Sequence, residues 1–220
     1  YTMAIKGPQH DEAWLIFMDM VNNQLPTFDD KARALYYFPL FRTWFGLMGL
    51  CKLCWNDVVP AKNHQEAEPA KVSAHVRGYW KFFEGMTGIA IDEPKMLEQS
   101  ERVYQLQRVM SYMLGKGTRK LDLPPYRAVG PVTIEEYESR AERYDKQLLE
   151  LASIDPQGMS TEAKVAALRE YRMGQYETAM QVVYEARGWT ADGVPTVARL
   201  QRLGIDLPEI VAVVRDAQES

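Results

Sequence analysis

The segment FRTWFGLMGLCKLCWNDVVP, residues 41–60, places both cysteines of the chain, Cys51 and Cys54, directly after Phe41, Trp44, Phe45 and the glycines Gly46 and Gly49. A thiolate is a soft ligand and a nucleophile, so the pair CKLC admits several chemistries. As a C-x-x-C it could form a redox disulfide, although the βαβ setting of a thioredoxin-like site is missing. As a zinc half-site it lacks partners, because His64 and His75 follow at spacings unlike standard zinc patterns. An iron–sulfur cluster commonly takes four thiolates, so two cysteines could supply at most part of one. Two ordinary buried thiols are the remaining reading, since free Cys is among the most buried residue types. His10, in KGPQHDEAW, could donate or relay protons because imidazole titrates near neutrality. Beside Asp11 and Glu12 it could equally be a surface or capping residue.

Other candidates carry weaker chemistry. Tyr36, Tyr37, Phe38, Phe41, Trp44 and Phe45 could line an apolar channel, although such a stripe more often forms core. Arg119, Lys120 and Arg127 could meet phosphates of an acidic ligand or sit on a solvated connector. RGWTADGVPT, residues 187–196, reads as structural: Gly188 and Gly193 permit turns, and Pro195 with Thr196 starts a helix.

These residues must be positioned by helices. The 220-residue chain is 46% hydrophobic and 25% charged, ordinary for a folded soluble protein, and its net charge of −4 argues against nucleic acid as a partner. No apolar run approaches the roughly 18 residues that span a bilayer, and no signal sequence is recognisable, so a cytoplasmic protein is expected. Residues 11–21 read as a short helix, and residues 31–48 as a second, kinked or broken near Pro39. Residues 55–71 read as a surface excursion, and 73–86 as a helix ending near Gly85 and Gly88. Over 92–114, Met96, Val103, Leu106, Met110 and Met113 share one helical stripe. Residues 115–131 form a connector that wraps rather than packs. Thr133 and Glu136 make a capping-box pattern opening a helix to about Ala152, and Ser160 opens another to about Ala186. A turn, a short helix and a final amphipathic helix complete a mostly α, irregular multi-helix domain.

GLCKL at 49–53, the PPYR connector and RGWTADGVPTVARLQRLGI at 187–205 resemble, in order and spacing, the C-terminal part of the tungsten-containing aldehyde:ferredoxin oxidoreductase family. Within it, FPLFRTWFGLMGLCKL and PYRAVGPVTIEEYESRAERYDKQ are most similar to the catalytic tungsten subunit of class II benzoyl-coenzyme A reductase. The resemblance implies a tungsten-bispterin cofactor, and a [4Fe-4S] cluster whose fourth thiolate comes from a motif of Asp, two variable residues, Gly, Leu and Cys. Gly49, Leu50 and Cys51 match its end, giving cofactor contacts and, at Cys51, the cluster ligand; the Asp position is Gly46 here, so the carboxylate contact to the pterin is absent. His10 falls near the position of the family's active-site histidine. The implied reaction is ring reduction of benzoyl-coenzyme A to a cyclic diene with low-potential electrons. Aldehyde oxidation with ferredoxin as acceptor is the alternative, and a cofactor-free helical interaction module the alternative of another class.

The implied partners are the remainder of the catalytic polypeptide, an iron–sulfur electron-transfer subunit or ferredoxin, and an acyl-CoA or aldehyde substrate. The chain opens YTMAIKGPQHDEAWL without an initiator Met and reads as a fragment of a longer polypeptide. Residues 1–60 would face cofactor and cluster, and 61–220 would form the helical remainder. Alone, the fragment is expected to bind neither metal centre and to be inactive.

Overall fold

The computed structural model describes residue 25, residues 27–50 and residues 74–219. These contain nine α-helices and one 3-10 turn. No strand occurs among the described residues, only an isolated antiparallel bridge between Trp189 and Pro195. The mostly α expectation therefore holds.

Helix α1, Phe28–Leu47, starts earlier than the apolar pattern suggests because Thr27 and Asp30 form a reciprocal capping box. The Asp30 N–H donates to Thr27 Oγ1 at 3.1 Å, and the Thr27 N–H donates to Asp30 Oδ2 at 3.2 Å. Pro39 stays inside this helix. Proline has no N–H to donate to the carbonyl four residues earlier, and that carbonyl, on Leu35, instead accepts from Arg187 Nη2 at 3.1 Å. Residues 38–45 are buried on every side of the helix, which requires neighbours all round. Helices α2 (Ala74–Thr87), α3 (Glu93–Met113) and α7 (Thr161–Arg187) supply most of them.

Helix α3 begins where Asp92 Oδ1 accepts the Lys95 N–H at 2.9 Å. Its buried face is not the expected apolar stripe. Met96 is fully buried, but Met110 and Met113 are 59% and 65% exposed. The inward face carries Ser100, Glu101, Tyr104, Gln105, Arg108 and Val109. Periodicity of apolar residues scores hydrophobicity and not pairing, and here most of the buried polar groups have partners.

Two further expectations need correction. Residues 115–131 do pack: Arg119–Asp122 form a short helix, α4, Tyr126–Val129 form the 3-10 turn, and Asp122 and Val129 are buried. The helix expected over 133–152 is two helices, α5 (Ile134–Glu138) and α6 (Ala141–Leu151), broken at Ser139 and Arg140. Tyr137 and Tyr144 would lie about 10 Å apart along a continuous helix. The break brings their ring centroids to 5.2 Å, with the Tyr137 hydroxyl donating to Asp145 Oδ1 at 2.7 Å. Thr133 caps α5 as expected, but Glu136 Oε2 accepts from the Val132 N–H, one residue upstream of the reciprocal capping-box bond.

Ser160 caps α7 through the Ala163 N–H. Helices α8 (Val197–Leu203) and α9 (Pro208–Glu219) then close a small cluster of Val109, Val194, Leu200 and Val214. Each fully buried Leu or Val of this kind contributes about 1.5–3 kcal/mol.

Candidate functional site

The end of α1 presents the Gly-Leu of the GLCKL motif. The Leu50 N–H donates to Phe45 O at 2.9 Å, and the Gly49 N–H donates to Gly46 O at 3.1 Å. This is the Schellman pairing, which satisfies carbonyls that a helix end would otherwise leave orphaned. It requires a left-handed residue at position 49, where Gly49 has φ +71°. Leu50 completes the motif by folding back onto Phe41, Trp44, Phe45 and Met96. Phe41 meets Phe45 edge-on at 5.5 Å, and Trp44 lies 5.6 Å from Phe83. The aromatic run thus forms core, with Phe38, Phe41, Trp44 and Phe45 buried and Tyr36 and Tyr37 half-buried.

Beyond Leu50 the chain continues to Cys51. Cys51, Cys54, His10 and His64 lie outside the described residues, as does the helix expected over 11–21. His75 falls within α2. Among the described residues no three His, Cys, Asp or Glu side chains gather as a metal site.

Three features bear on whether a bulky cofactor fits at this end. A Cβ built on Gly49 meets nothing within 4 Å among the described residues, so none of them crowds the backbone face there. Leu50 and the aromatic cluster provide an apolar wall of the kind that keeps water from a cluster. Trp44 Nε1 is buried without a hydrogen-bond partner among the described residues, an orphan costing about 1–3 kcal/mol that an outside acceptor would offset. These suit the implied group. Gly46 is exposed and offers no carboxylate, which does not suit the family's pterin contact.

A second constellation, more polar and more closed, surrounds the 187–196 turn. Arg108 grips Asp122 with two parallel hydrogen bonds at 2.9 and 2.6 Å, and its Nε donates to Gly193 O at 2.8 Å. The Tyr184 hydroxyl donates to the same carboxylate. Burial, then that bond to Asp122, pushes the Tyr184 phenol well above its ordinary range. The Arg108 guanidinium lies 4.5 Å from the Trp189 ring. Trp189 Nε1 donates to Gln105 Oε1 at 2.7 Å, and Gln105 Nε2 donates to Arg187 O at 2.8 Å. Arg187, 1% exposed, stacks 3.8 Å over Tyr104, and its burial lowers its pKa. Glu101 pairs with Arg199, and Arg202 lies 3.4 Å from its other oxygen.

Apart from the buried Arg187 Nε, which has no hydrogen-bond partner among the described residues, the polar groups named here pair with other parts of the same chain, so the arrangement holds the fold. Gly188, with φ +66°, ends α7, and Thr196 caps α8, as the motif's structural reading requires. Sequence reasoning missed Arg108 and Asp122 because their pairing spans 14 positions and the two sit in unrelated patterns; only their joint occurrence near the motif could have hinted at it.

Of the cations considered for phosphate binding, Arg119 donates to Gln181 and Ala191 O, and Arg127 pairs with Glu136. Lys120 is exposed. The structure does not bring the three together as a phosphate cradle.

The described residues form an irregular, mostly α domain whose first helix ends at a left-handed glycine. The chain belongs to the aldehyde ferredoxin oxidoreductase family: the family model for "Aldehyde ferredoxin oxidoreductase, domains 2 & 3" matches residues 1–205. No curated protein and no solved structure matches it. The family is one of oxidoreductases that bind tungstopterin, and the matched domains are part of a larger catalytic polypeptide. Among the described residues no helix is long and apolar enough to cross a membrane.

Proposed function

We propose that the chain is the helical, cofactor-closing region of a tungsten-bispterin and [4Fe-4S] oxidoreductase that reduces the aromatic ring of benzoyl-coenzyme A. The observation that supports this most is the Gly49–Leu50 turn, which hands the chain to Cys51 from a pinned, apolar helix end whose backbone face no described residue crowds. Cys51 supplies a thiolate to the cluster, and Gly49 and Leu50 form the wall beside the cofactor. The metal–pterin group, when bound, supplies low-potential electron transfer to the substrate. His10 holds or relays a proton, so that two electrons and two protons add to the ring and leave a cyclic diene. Residues 1–60 face these centres, and residues 61–220 brace α1. An iron–sulfur subunit or ferredoxin would deliver the electrons.

Aldehyde oxidation is a second reading, favoured by the description of the matching family. There a water oxygen joins the carbonyl carbon, the aldehyde C–H bond breaks, and two electrons leave to ferredoxin while two protons are released. Metal analysis of the full-length enzyme tests the common part: tungsten or molybdenum together with iron is expected, and neither metal would leave a helical interaction module instead. Anaerobic assays with benzoyl-coenzyme A and with simple aldehydes then separate the reactions. Turnover of aldehydes alone would overturn the ring-reduction reading.

A further inference from the structure

A cavity of about 610 Å³ lies where the Pro124–Pro125 connector faces α7, with Phe28, Leu151, Tyr176 and Arg172 among its walls. Phe28 opens α1, whereas Gly49 follows its end. A 20-residue helix is about 30 Å long, so this cavity is remote from the proposed redox end. Its size and mostly apolar lining are those of small-molecule pockets.

Arg172 is the charged group among the described lining residues. Its Nη2 donates to Gln147 Oε1 at 2.6 Å and its Nη1 to Val129 O at 3.4 Å, both neutral acceptors. No carboxylate pairs with it among the described residues; the Tyr144 ring lies 5.6 Å from the guanidinium and favours its charge, while the neighbouring Arg143 and Arg169 oppose it. Arg169 is likewise held by carbonyls, of Tyr126, Gly130 and Pro131. A partly buried guanidinium without a counterion, in a low-dielectric wall, attracts an anion. Burial pushes the Tyr176 phenol up to about 12, so it stays a neutral O–H donor.

We propose that this cavity binds a small aromatic monocarboxylate, its ring among Phe28, Pro125 and Tyr176 and its carboxylate on Arg172. The guanidinium fork matches a carboxylate in two parallel hydrogen bonds, and the apolar walls reject a free inorganic anion.

The test is calorimetric titration of the full-length enzyme with phenylacetate and with neutral phenylacetamide. Phenylacetate should bind saturably and at least roughly tenfold more tightly than the amide, the scale of a charge-assisted hydrogen bond. Arg172→Gln should weaken phenylacetate binding roughly 10- to 100-fold and leave the amide unchanged. Ala128→Trp, an exposed position on the cavity wall, should block both ligands. Equal binding of acid and amide, absence of saturable binding, or wild-type binding by either variant would overturn the proposal. Should a variant fail to fold, the acid–amide comparison on the unaltered enzyme decides.

Discussion

Two turns, each carrying a left-handed glycine, follow α1 and α7, and they differ in what surrounds them. Gly49, φ +71°, sits after α1 with no described atom within 4 Å of a Cβ built on it. Gly193, φ +82°, sits in the turn after α7, where a Cβ would overlap Arg108 Nη2 and come within 2.9 Å of the Tyr184 ring. Both positions need glycine for conformation. Among the described residues, only the second needs it for space already taken by the chain itself. The contrast separates a turn packed into the fold from one that no described residue covers. An apolar motif that no described atom crowds suits a cofactor, and a polar motif whose groups are mostly paired within the chain suits a keystone.

The largest expected effect is at the closed turn. Gly193→Ala must displace the Arg108 guanidinium from Asp122, and breaking a buried pair while straining the backbone costs about 3–5 kcal/mol. Chemical denaturation of the full-length enzyme would read this as a fall in midpoint, and a loss below about 1 kcal/mol would show that the turn relaxes freely.

Asp122→Asn keeps the shape but leaves Arg108, 3% exposed, without its counter-charge. A loss of about 2–4 kcal/mol is expected, because an uncompensated buried cation is dearer than the pair is favourable. Additivity of this loss with that of Gly193→Ala would contradict a shared network, since neighbours in one network couple by about 0.5–3 kcal/mol.

The pH dependence follows from Tyr184. Its folded pKa is raised, first by burial and then by its bond to Asp122, so the folded state holds the phenolic proton more tightly than the unfolded chain does. That contribution is complete below about pH 10, the ordinary phenol value, and is lost as pH rises toward the folded value. Stability should therefore fall from pH 9 to pH 11, and Tyr184→Phe should flatten part of the slope. Tyr176, pushed up to about 12 by burial, and Tyr137, raised by burial and by its bond to Asp145, keep the remainder. An unchanged slope in Tyr184→Phe would mean that its hydroxyl is not confined in solution as it is here.

The same contrast explains what could be read from the sequence. The open turn is local: Gly49 and Leu50 follow directly from helix-end chemistry, and caps at Ser160 and Thr196 are likewise visible within four residues. Thr27 with Asp30 was equally local and passed over, because Asp stands where Glu or Gln marks a capping box. The closed turn depends on distance. Gln105 meets Trp189 across 84 positions, and Arg108 meets Gly193 across 85. No window of residues could reveal that α3 turns arginine inward and Met110 outward, since the choice is made by partners on α7 and α4. The connector's packing was hidden for the same reason: Asp122 has meaning only once Arg108 is beside it. The chemistry assigned to His10 and Cys51 lies outside the described residues, so of that site only the supporting turn can be compared with expectation.

The smallest effect on stability, and the sharpest on function, should come from Gly49. Alanine there pays only the left-handed backbone penalty, about 1–2 kcal/mol, because no described atom meets the new Cβ. Asparagine tolerates that conformation better, so Gly49→Asn should cost less than about 1 kcal/mol. If the open face serves only the helix end, both variants keep full iron content and a normal reduced-cluster paramagnetic resonance signal. If a cluster on Cys51 or a pterin approaches that backbone, the larger asparagine is the more disruptive to the metal centre although it is the gentler to the fold. The expected result is this inversion: alanine lowers the unfolding midpoint more, and asparagine lowers iron content more. Cys51→Ser against Cys54→Ala calibrates the second readout, with cluster loss expected in the first alone because a hydroxyl poorly replaces a thiolate on iron. Iron content that tracks stability across all four variants would remove the difference between the two turns and return Gly49 to a purely structural role.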